Sequence, residues 1–502
     1  MNPETLLVRA DASPQMGTGH VMRCLALAQV WQQARGRALF ALARPAGPIR
    51  EQLESAGCEV VELPCAAGSV KDANAVAVLA QEQQAAWVVA DGYQFDDAYQ
   101  RRLKEAELQL LLVDDYGHAR HYSADYVLNQ NLGASAALYG SREATTRLLL
   151  GPRYVLLRQE FLKWRGWERP IPKAGRRVLV TLGGSDPDNV TRKVIEGLAR
   201  WTECEASVVV GSNNLHWDEL QAAASGAGQR LRLLRNVSNM PELMAEADAA
   251  ITAGGTTVWE LAFMGLPALL ITLADNQRSN VEHLAGFGAA RALGTAGGVS
   301  SQDITEAATA LSKDAKAREE MSRRGRALVD GEGSFRVWRH LMESTVKLRE
   351  ATEGDCRLIW QWANDPVARR ASFSPEPIPW ESHVKWFAGK LQDQRAHLWV
   401  ACDGAGRPIG QVRFDEQDGR AVISISLSPE HRGRNLGTLV IWLACRKLFR
   451  DTRVRAIRAL IKPDNPASAR AFVKAGFGQA DTTVVNEQPA QVFELLNDRA
   501  KP

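Results

Sequence analysis

The sequence predicts an α/β protein in which two consecutive Rossmann-like halves, each a parallel sheet with helices, precede a smaller α+β domain. Three observations carry that expectation. Short apolar runs alternate with amphipathic segments of helical length through the first 150 residues, and the same grammar restarts after the charged stretch KWRGWERPIPKAGRR (163–177). From about residue 347 it gives way to helical text followed by consecutive strands. With 502 residues, 45% hydrophobic and 24% charged, the chain has globular composition and is too long for one ordinary core.

In the first half, Leu6, Leu7 and Val8 end a buried strand, and Val21, Leu25 and Ala28 recur at helical spacing after the glycines of RADASPQMGTGH. Further strands are expected at EVVELP (59–64), WVVADGY (87–93), LQLLLVDDY (108–116) and DYVLNQN (125–131). The second half repeats the pattern with RRVLVTLGGSD, ASVVVGS, RLRLLRNVSN, DAAITAGG and LPALLIT. In open α/β sheets ligands bind beyond the carboxyl ends of the strands, and here those ends carry the polar, glycine-rich text. In the last part LREATEGDCRLIWQWANDP and PWESHVKWFAGKLQD read as helices, and HLWVACDG, RPIGQVRFDEQDG and RAVISISLSP as strands joined by turns.

Lysine and arginine exceed the acids by 61 − 58 = 3, too little to argue for nucleic acid or an acidic membrane surface. Seven scattered cysteines without a CxxC pair favour neither a disulfide framework nor a zinc site. The opening MNPETLLVRAD lacks a basic segment followed by a long apolar run, and no apolar stretch approaches 18 residues. The expectation is a cytoplasmic protein acting on small molecules, with no metal and no membrane insertion.

Two stretches carry chemistry in the paired halves. Gly17 and Gly19 form a strand-to-helix loop that lets backbone approach a ligand, with His20 at the mouth of the helix; Asp11 either orients His20 or caps the loop. In TAGGTTVWELAFMGLPALLIT (252–272), Gly254 and Gly255 open a helix, Thr256 and Thr257 add hydroxyls, and Glu260 lies about a turn inside. Backbone N–H groups, hydroxyls and the helix dipole suit a diphosphate, and a carboxylate one turn on suits a ribose.

These stretches, with ADGYQFD, LLVDD, LLGPRYVLLRQEF, VTLGGSDP and LADNQ, closely resemble the GT-B-like UDP-sugar hydrolases of the pseudaminic acid pathway (the PseG type, related in fold to MurG) over roughly residues 5 to 340. The resemblance implies hydrolysis of UDP-2,4-diacetamido-2,4,6-trideoxy-β-L-altropyranose to UDP and free sugar without a metal. It assigns His20 as the catalytic residue, Tyr93 as the tyrosine of the DxY motif, and Glu260 and Asn276 as polar residues of the nucleotide-binding half. The expected boundaries are 1–168 and 169–345 for the two halves and 346–502 for the last domain.

In that last domain, SISLSPEHRGRNLGTLVIWLACRKLF (424–449) runs from strand through a basic turn to a helix: Arg432, Gly433, Arg434, Asn435, Leu436, Gly437 and Thr438 offer backbone N–H groups to a pyrophosphate. With IKPDNPASARAFVKAGF (461–477), which supplies Asn465, it resembles the acetyl-CoA core of the GNAT acetyltransferases. The resemblance implies that strands at 424–428 and 456–461 splay to admit pantetheine and that the N–H near Leu427 holds the thioester oxygen. Two departures stand out: Asn435 replaces the usual central glycine, and Phe472 replaces the tyrosine that protonates the thiolate. His383 and Asn364 are acceptor-side candidates whose ordinary reading is polar residues on amphipathic helices.

The openings LREATEGD and WANDPVARRASFS are similar to the PseH-type GNAT enzymes, which implies acetylation of the 4-amino group of a UDP-amino sugar. The expected whole is a bifunctional enzyme acting on UDP-activated amino sugars with acetyl-CoA. A GT-B glycosyltransferase fused to an acetyltransferase for another amino sugar, or a chain with one non-catalytic domain, stays open as an alternative.

Overall fold

The computed structural model describes residues 4–13, 16–44, 47–184, 186–211 and 214–497. Pro14 and Gln15 of the first loop and Ser185 of TLGGSDP therefore lie outside the described residues. The chain forms two compact units, 1–337 and 338–502, dividing within the helix Gly333–Leu341.

The first unit holds two parallel sheets. One contains β1 (Thr5–Ala10), β2 (Arg37–Leu42), β3 (Glu59–Glu62), β4 (Ala85–Asp91), β5 (Leu110–Val113), β6 (Tyr126–Asn129) and β7 (Arg147–Leu150) in the order β3-β2-β1-β4-β5-β6-β7. The other contains β8 (Arg177–Thr181), β9 (Glu205–Val210), β10 (Leu231–Arg235), β11 (Ala249–Ala253), β12 (Ala268–Thr272) and β13 (Arg291–Thr295) in the order β10-β9-β8-β11-β12-β13. Strand order reverses beside β1 and β4 in one sheet and beside β8 and β11 in the other. Those are the places where connecting helices leave on opposite faces and open a crevice at the carboxyl ends.

Central strands of both sheets are buried on both faces, which is why β1 reads TLLVRA and β12 ALLIT with no polar alternation. Leu7, Val88, Leu110 and Val127 share one core with Phe95 and Tyr99, and Val180, Val208, Ile251 and Ile271 share another with Val194 and Ile304. The sequence pattern does not predict the strands β2, β7 and β13. RALFAL, RLLL and RALGT contain no β-branched residue except one terminal threonine, so local propensity does not separate them from helix.

The second unit is one mixed sheet: β14 (Val346–Glu350), β15 (Ala396–Asp403), β16 (Pro408–Gln417), β17 (Arg420–Leu427), β18 (Ala456–Ile461), β19 (Gly478–Val485) and β20 (Gln488–Leu496), ordered β14-β15-β16-β17-β18-β20-β19. The stretch LREATEGD, read as helical, begins as an edge strand. Leu348 pairs with Ala401 of β15, and the helix starts only at Cys356, after the capping pair Thr352 and Asp355. The ladder partner that makes it a strand is about fifty residues away.

β17 and β18 are parallel but pair only at their first residues, Arg420 with Ala456, Ala421 with Ile457 and Val422 with Arg458. Beyond Val422 they part, and β18 keeps its other edge on β20 through Ile461. The two strands thus form a V that opens toward their carboxyl ends.

Within this unit the Trp442 ring is flanked by two guanidiniums, Arg339 at 4.2 Å and Arg446 at 4.4 Å, and Arg446 Nη1 donates to Glu343 Oε1 at 2.9 Å. A cut after residue 345 discards Arg339 and Glu343 while keeping every strand. A 346–502 fragment should therefore melt lower than a 338–502 fragment, by about 4 °C for the loss of about 1 kcal/mol. Thermal unfolding of the two fragments followed by circular dichroism checks this, and equal melting would show the Trp442 contacts to be energetically neutral.

Candidate functional site

Both switch points of the first unit point at the same crevice. From the carboxyl end of β1 the chain turns through Ser13 and Gly17, with Gly17 N–H donating to Ser13 O at 2.8 Å, and enters the helix Gly19–Gln33. Gly17 has φ +76°, a left-handed turn. Across the crevice, the loop after β8 brings Gly184 so close that a Cβ there would lie 2.9 Å from the Thr18 nitrogen. A Cβ on Gly19 would lie 3.1 Å from Thr256 Oγ1 of the loop after β11. Small residues at these points are what let the glycine loops of the two halves face each other.

His20 sits in the first turn of that helix and is buried. Its Nδ1 lies 2.6 Å from Asp91 Oδ1, at the carboxyl end of β4. Asp91 is fully buried; burial by itself would raise its carboxyl, but Arg23 and His20 beside it hold the group well below the usual carboxylate range. An ionised carboxylate can only accept, so the Nδ1 hydrogen of His20 is donated to Asp91.

Arg23, one turn along from His20, donates Nε to Asp91 Oδ2 at 2.6 Å, Nη2 to Asp91 Oδ1 at 2.7 Å and Nη1 to Asp115 Oδ1 at 2.7 Å. Tyr93 O–H donates to Asp115 Oδ2 at 2.9 Å, and its ring stands edge-on to the His20 ring at 5.1 Å. Burial, then the Asp115 charge, pushes the Tyr93 phenol far above its ordinary value, so it stays protonated. Asn276, on the helix Asp275–Phe287 of the other half, donates Nδ2 to the Tyr93 oxygen at 2.8 Å.

His20, Tyr93 and Asn276 are thus brought together from both halves, as are Gly19 and Thr256. Asp11 is not at His20: it accepts from Ala43 N–H at 2.8 Å and pairs with Arg9 at 2.7 Å, holding the ends of β1 and β2 together. The carboxylate on the histidine is Asp91. Asp91, Arg23 and Asp115 lie in VRADASPQMGTGHVMRC, ADGYQFD and LLVDD without a local pattern that marks them; the available signal is Arg23, three residues after His20 and hence on the same helical face.

In the loop after β11, Gly254 is buried and its carbonyl accepts from Asn280 Nδ2 at 3.0 Å; Gly255, Thr256 and Thr257 are half-buried. Glu260 is paired with Arg158, whose Nη2 donates to its Oε1 at 2.9 Å. Burial raises the Glu260 carboxyl even though Arg158 opposes the rise. Arg158 comes from the LLGPRYVLLRQEF segment and had not been singled out as its partner.

In the second unit, the turn after β17 leads to the helix Leu436–Asp451, whose first-turn N–H groups have no intrahelical acceptor. Asn435 stands at φ +57° and Gly433 at φ +70°, so the asparagine adopts the left-handed geometry that the usual glycine would take. Leu436 and Thr438 are buried, and a Cβ on Gly437 would lie 3.5 Å from Leu427 Cδ1, in ordinary contact. The two arginines divide their work. Arg432 bonds the Leu427 carbonyl at 3.0 Å and Asp365 at 2.6 Å, bracing the turn, whereas Arg434 has a buried Nε with no hydrogen-bond partner. That left-handed turn, those N–H groups and Arg434 fit a pyrophosphate.

Asn465 caps the helix Pro466–Ala475, accepting from Ser468 N–H at 3.1 Å. Phe472 is buried against Phe477 at 5.0 Å and has no polar atom to offer. His383 donates Nε2 to the Cys356 carbonyl at 3.1 Å inside an aromatic cluster, and Asn364 Oδ1 accepts from Ile378 N–H at 2.7 Å. Both brace the helices on which they sit.

Fold and loops define a two-part enzyme: a GT-B-like pair of parallel-sheet domains followed by a GNAT-type acyl-transfer domain. Residues 177–331 match the Glycosyltransferase family 28 C-terminal domain and residues 345–478 the Acetyltransferase (GNAT) domain. An uncharacterized protein of Methanocaldococcus jannaschii is 23% identical over 96% of this chain and 98% of its own length. The spore coat polysaccharide biosynthesis protein SpsG of Bacillus subtilis is 29% identical over 46% of this chain and 69% of its own. The UDP-2,4-diacetamido-2,4,6-trideoxy-β-L-altropyranose hydrolase of Campylobacter jejuni is 24% identical over 56% of this chain and 96% of its own.

The depressed Asp91 carboxyl has a thermodynamic signature. Because its folded value lies below the unfolded one, it contributes stability that is complete above about pH 3.9 and fades as pH falls below that. Asp91→Asn should therefore cost about 3 kcal/mol at pH 7, where a buried pair is broken, and visibly less at pH 3. Urea unfolding of both proteins at the two pH values measures it; a deficit independent of pH would mean that Asp91 is not held ionised.

At Asn435, glycine should leave the stability of the second unit within about 0.5 kcal/mol, whereas alanine should cost about 1 kcal/mol for the left-handed backbone. Denaturant midpoints of a 338–502 fragment read the difference directly.

Proposed function

We propose that the first unit hydrolyses a UDP-activated amino sugar and that the second acetylates such a sugar with acetyl-CoA, the pair serving pseudaminic acid synthesis. The observation that carries the hydrolase reading is the His20–Asp91 dyad, at 2.6 Å, facing the Gly254–Thr257 loop of the opposite half. The similarity to the Campylobacter jejuni hydrolase, which runs over nearly its whole length, supports the choice of sugar.

In this reading His20 Nε2 takes a proton from a water whose oxygen attacks the anomeric carbon. The anomeric C–O bond breaks with its electron pair going to the departing UDP, and Asp91 stabilises the imidazolium that forms. The backbone N–H groups and hydroxyls of Gly255, Thr256 and Thr257 receive the diphosphate, Glu260 the ribose, and Tyr93 with Asn276 border the sugar. Glycosyl transfer and hydrolysis differ in what supplies the nucleophile, and a histidine that aims at water does not require a second sugar.

For the second unit we place the acetyl-CoA pyrophosphate on the 433–438 turn with Arg434, the pantetheine arm between β17 and β18, and the thioester carbonyl on the N–H near Leu427. Phe472 supplies no proton to the thiolate, so the acetyl transfer relies on alignment of the amine with the thioester and on solvent. The acceptor is the 4-amino group of a UDP-4-amino-4,6-dideoxy-N-acetyl-altrosamine.

Incubating the full chain with the 4-amino UDP-sugar and acetyl-CoA should release CoA first and then UDP with a reducing sugar. CoA release without UDP would leave the acetyltransferase and overturn the hydrolase. His20→Asn should lower UDP release about 10²- to 10⁴-fold while CoA release is kept; a fall of less than tenfold would remove His20 from the role. Glu260→Ala should raise KM for the UDP-sugar with kcat largely kept, because a ribose contact is equal in ground and transition states.

A further inference from the structure

The guanidinium of Arg23 is the most heavily bonded side chain around the dyad, and its Nη2 also lies 3.2 Å from His20 Nδ1, so the guanidinium and the Asp91 carboxylate meet the same ring nitrogen and oppose each other over its hydrogen. It grips two carboxylates at once: Nε and Nη2 on Asp91 at 2.6 and 2.7 Å, Nη1 and Nη2 on Asp115 at 2.7 and 3.0 Å. It is nearly fully buried, and Cys24 Sγ adds a contact to Asp91 Oδ2 at 3.3 Å. Each carboxylate then bonds one group of the crevice, Asp91 the imidazole of His20 and Asp115 the hydroxyl of Tyr93.

The direction of those two bonds is chemically decisive. While both carboxylates are ionised they can only accept. His20 must then present Nδ1–H to Asp91, leaving Nε2 free to take a proton, and Tyr93 must donate to Asp115, leaving its oxygen lone pairs for Asn276 Nδ2 of the opposite half at 2.8 Å. Without the guanidinium, fully buried Asp91 is left with His20 as its partner for the charge, and desolvation then favours its protonated form. A protonated Asp91 would donate to His20 Nδ1 and place the imidazole hydrogen on Nε2, where it blocks proton abstraction.

We infer that Arg23 is a positioning residue that sets hydrogen-bond polarity on both arms: through Asp91 it fixes the proton-accepting tautomer of His20, and through Asp115 it fixes Tyr93 as acceptor for the cross-crevice bond from Asn276. The inference rests on the hydrolase reading for its kinetic consequence and on geometry alone for its tautomer consequence. The short bidentate contacts also explain why this position suits arginine: a lysine ammonium carries the charge but cannot engage both carboxylates in one plane.

The test uses the full chain with ¹⁵N-labelled histidine, the His20 ring resonances being assigned by their loss in His20→Asn. Expected are the Nδ1–H tautomer in the parent protein, a population with the hydrogen on Nε2 in Arg23→Gln, and the parent tautomer again in Arg23→Lys. UDP release should fall about 100-fold in kcat for Arg23→Gln with KM within about threefold, and Arg23→Lys should recover about tenfold of that loss. A folded Arg23→Gln with the parent tautomer and near-parent kcat overturns the proposal. If that variant does not fold, Arg23→Lys decides alone: a parent tautomer with a reduced kcat supports the role, and a shifted tautomer in a lysine variant of unchanged melting temperature overturns it. Should the parent protein release no UDP from the sugar nucleotide, the hydrolase reading falls, and the tautomer of Arg23→Gln and Arg23→Lys still decides what Arg23 does.

Discussion

A fully buried carboxylate, Asp91, at the carboxyl end of β4 is the constraint around which the first unit's crevice is arranged. A lone buried charge would cost several kcal/mol, so the fold must bring it a cation. The nearest element able to do so is the helix after β1, because β1 and β4 are neighbours in the sheet and that helix starts at their shared end. Arg23 supplies the charge, and the same helical face carries His20 one turn earlier. The position of His20 thus follows from the need to satisfy the acid.

The glycine turns before the helices Gly19–Gln33 and Leu436–Asp451 meet one physical requirement by different routes. A helix start leaves N–H groups without acceptors, and a tight turn in front of it lets a phosphate reach them. In the first unit the turn is made by glycines, and a second glycine loop from the other half closes on it, with Gly184 against Thr18 and Gly19 against Thr256. In the second unit the turn stands on one sheet and is braced by Arg432, which ties it to Leu427 and Asp365. Beside that turn β17 and β18 part beyond Val422.

Much of the fold was legible because its signals are local. Runs such as WVVAD and LLLV announce strands buried on both faces, and the glycine turns before His20 and Leu436 announce helix starts. Apart from the terminal hairpin of β19 and β20, what escaped depends on a distant partner. β2, β7 and β13 lack β-branched sequence and are strands because neighbours pair with them, and Val346–Glu350 is an edge strand because β15 lies beside it.

The candidate site divides along the same line. By itself the sequence determined the residue types and where the reactive loops lie: His20 after a glycine turn, Tyr93 after a strand, Gly254 to Thr257 at a helix start, and Asn435 where a left-handed residue is required. Those follow from chain-local chemistry, since φ, capping and strand burial are set within a few residues. Only the tertiary structure decided which carboxylate serves His20, that Glu260 lies on Arg158, that Asn276 reaches Tyr93, and that Arg432 ties its turn to Asp365. These pairings join groups from 67 to 183 positions apart in the chain, and hydrogen bonds of 2.6 to 2.9 Å depend on where sheets and crossings bring them, which no local pattern encodes.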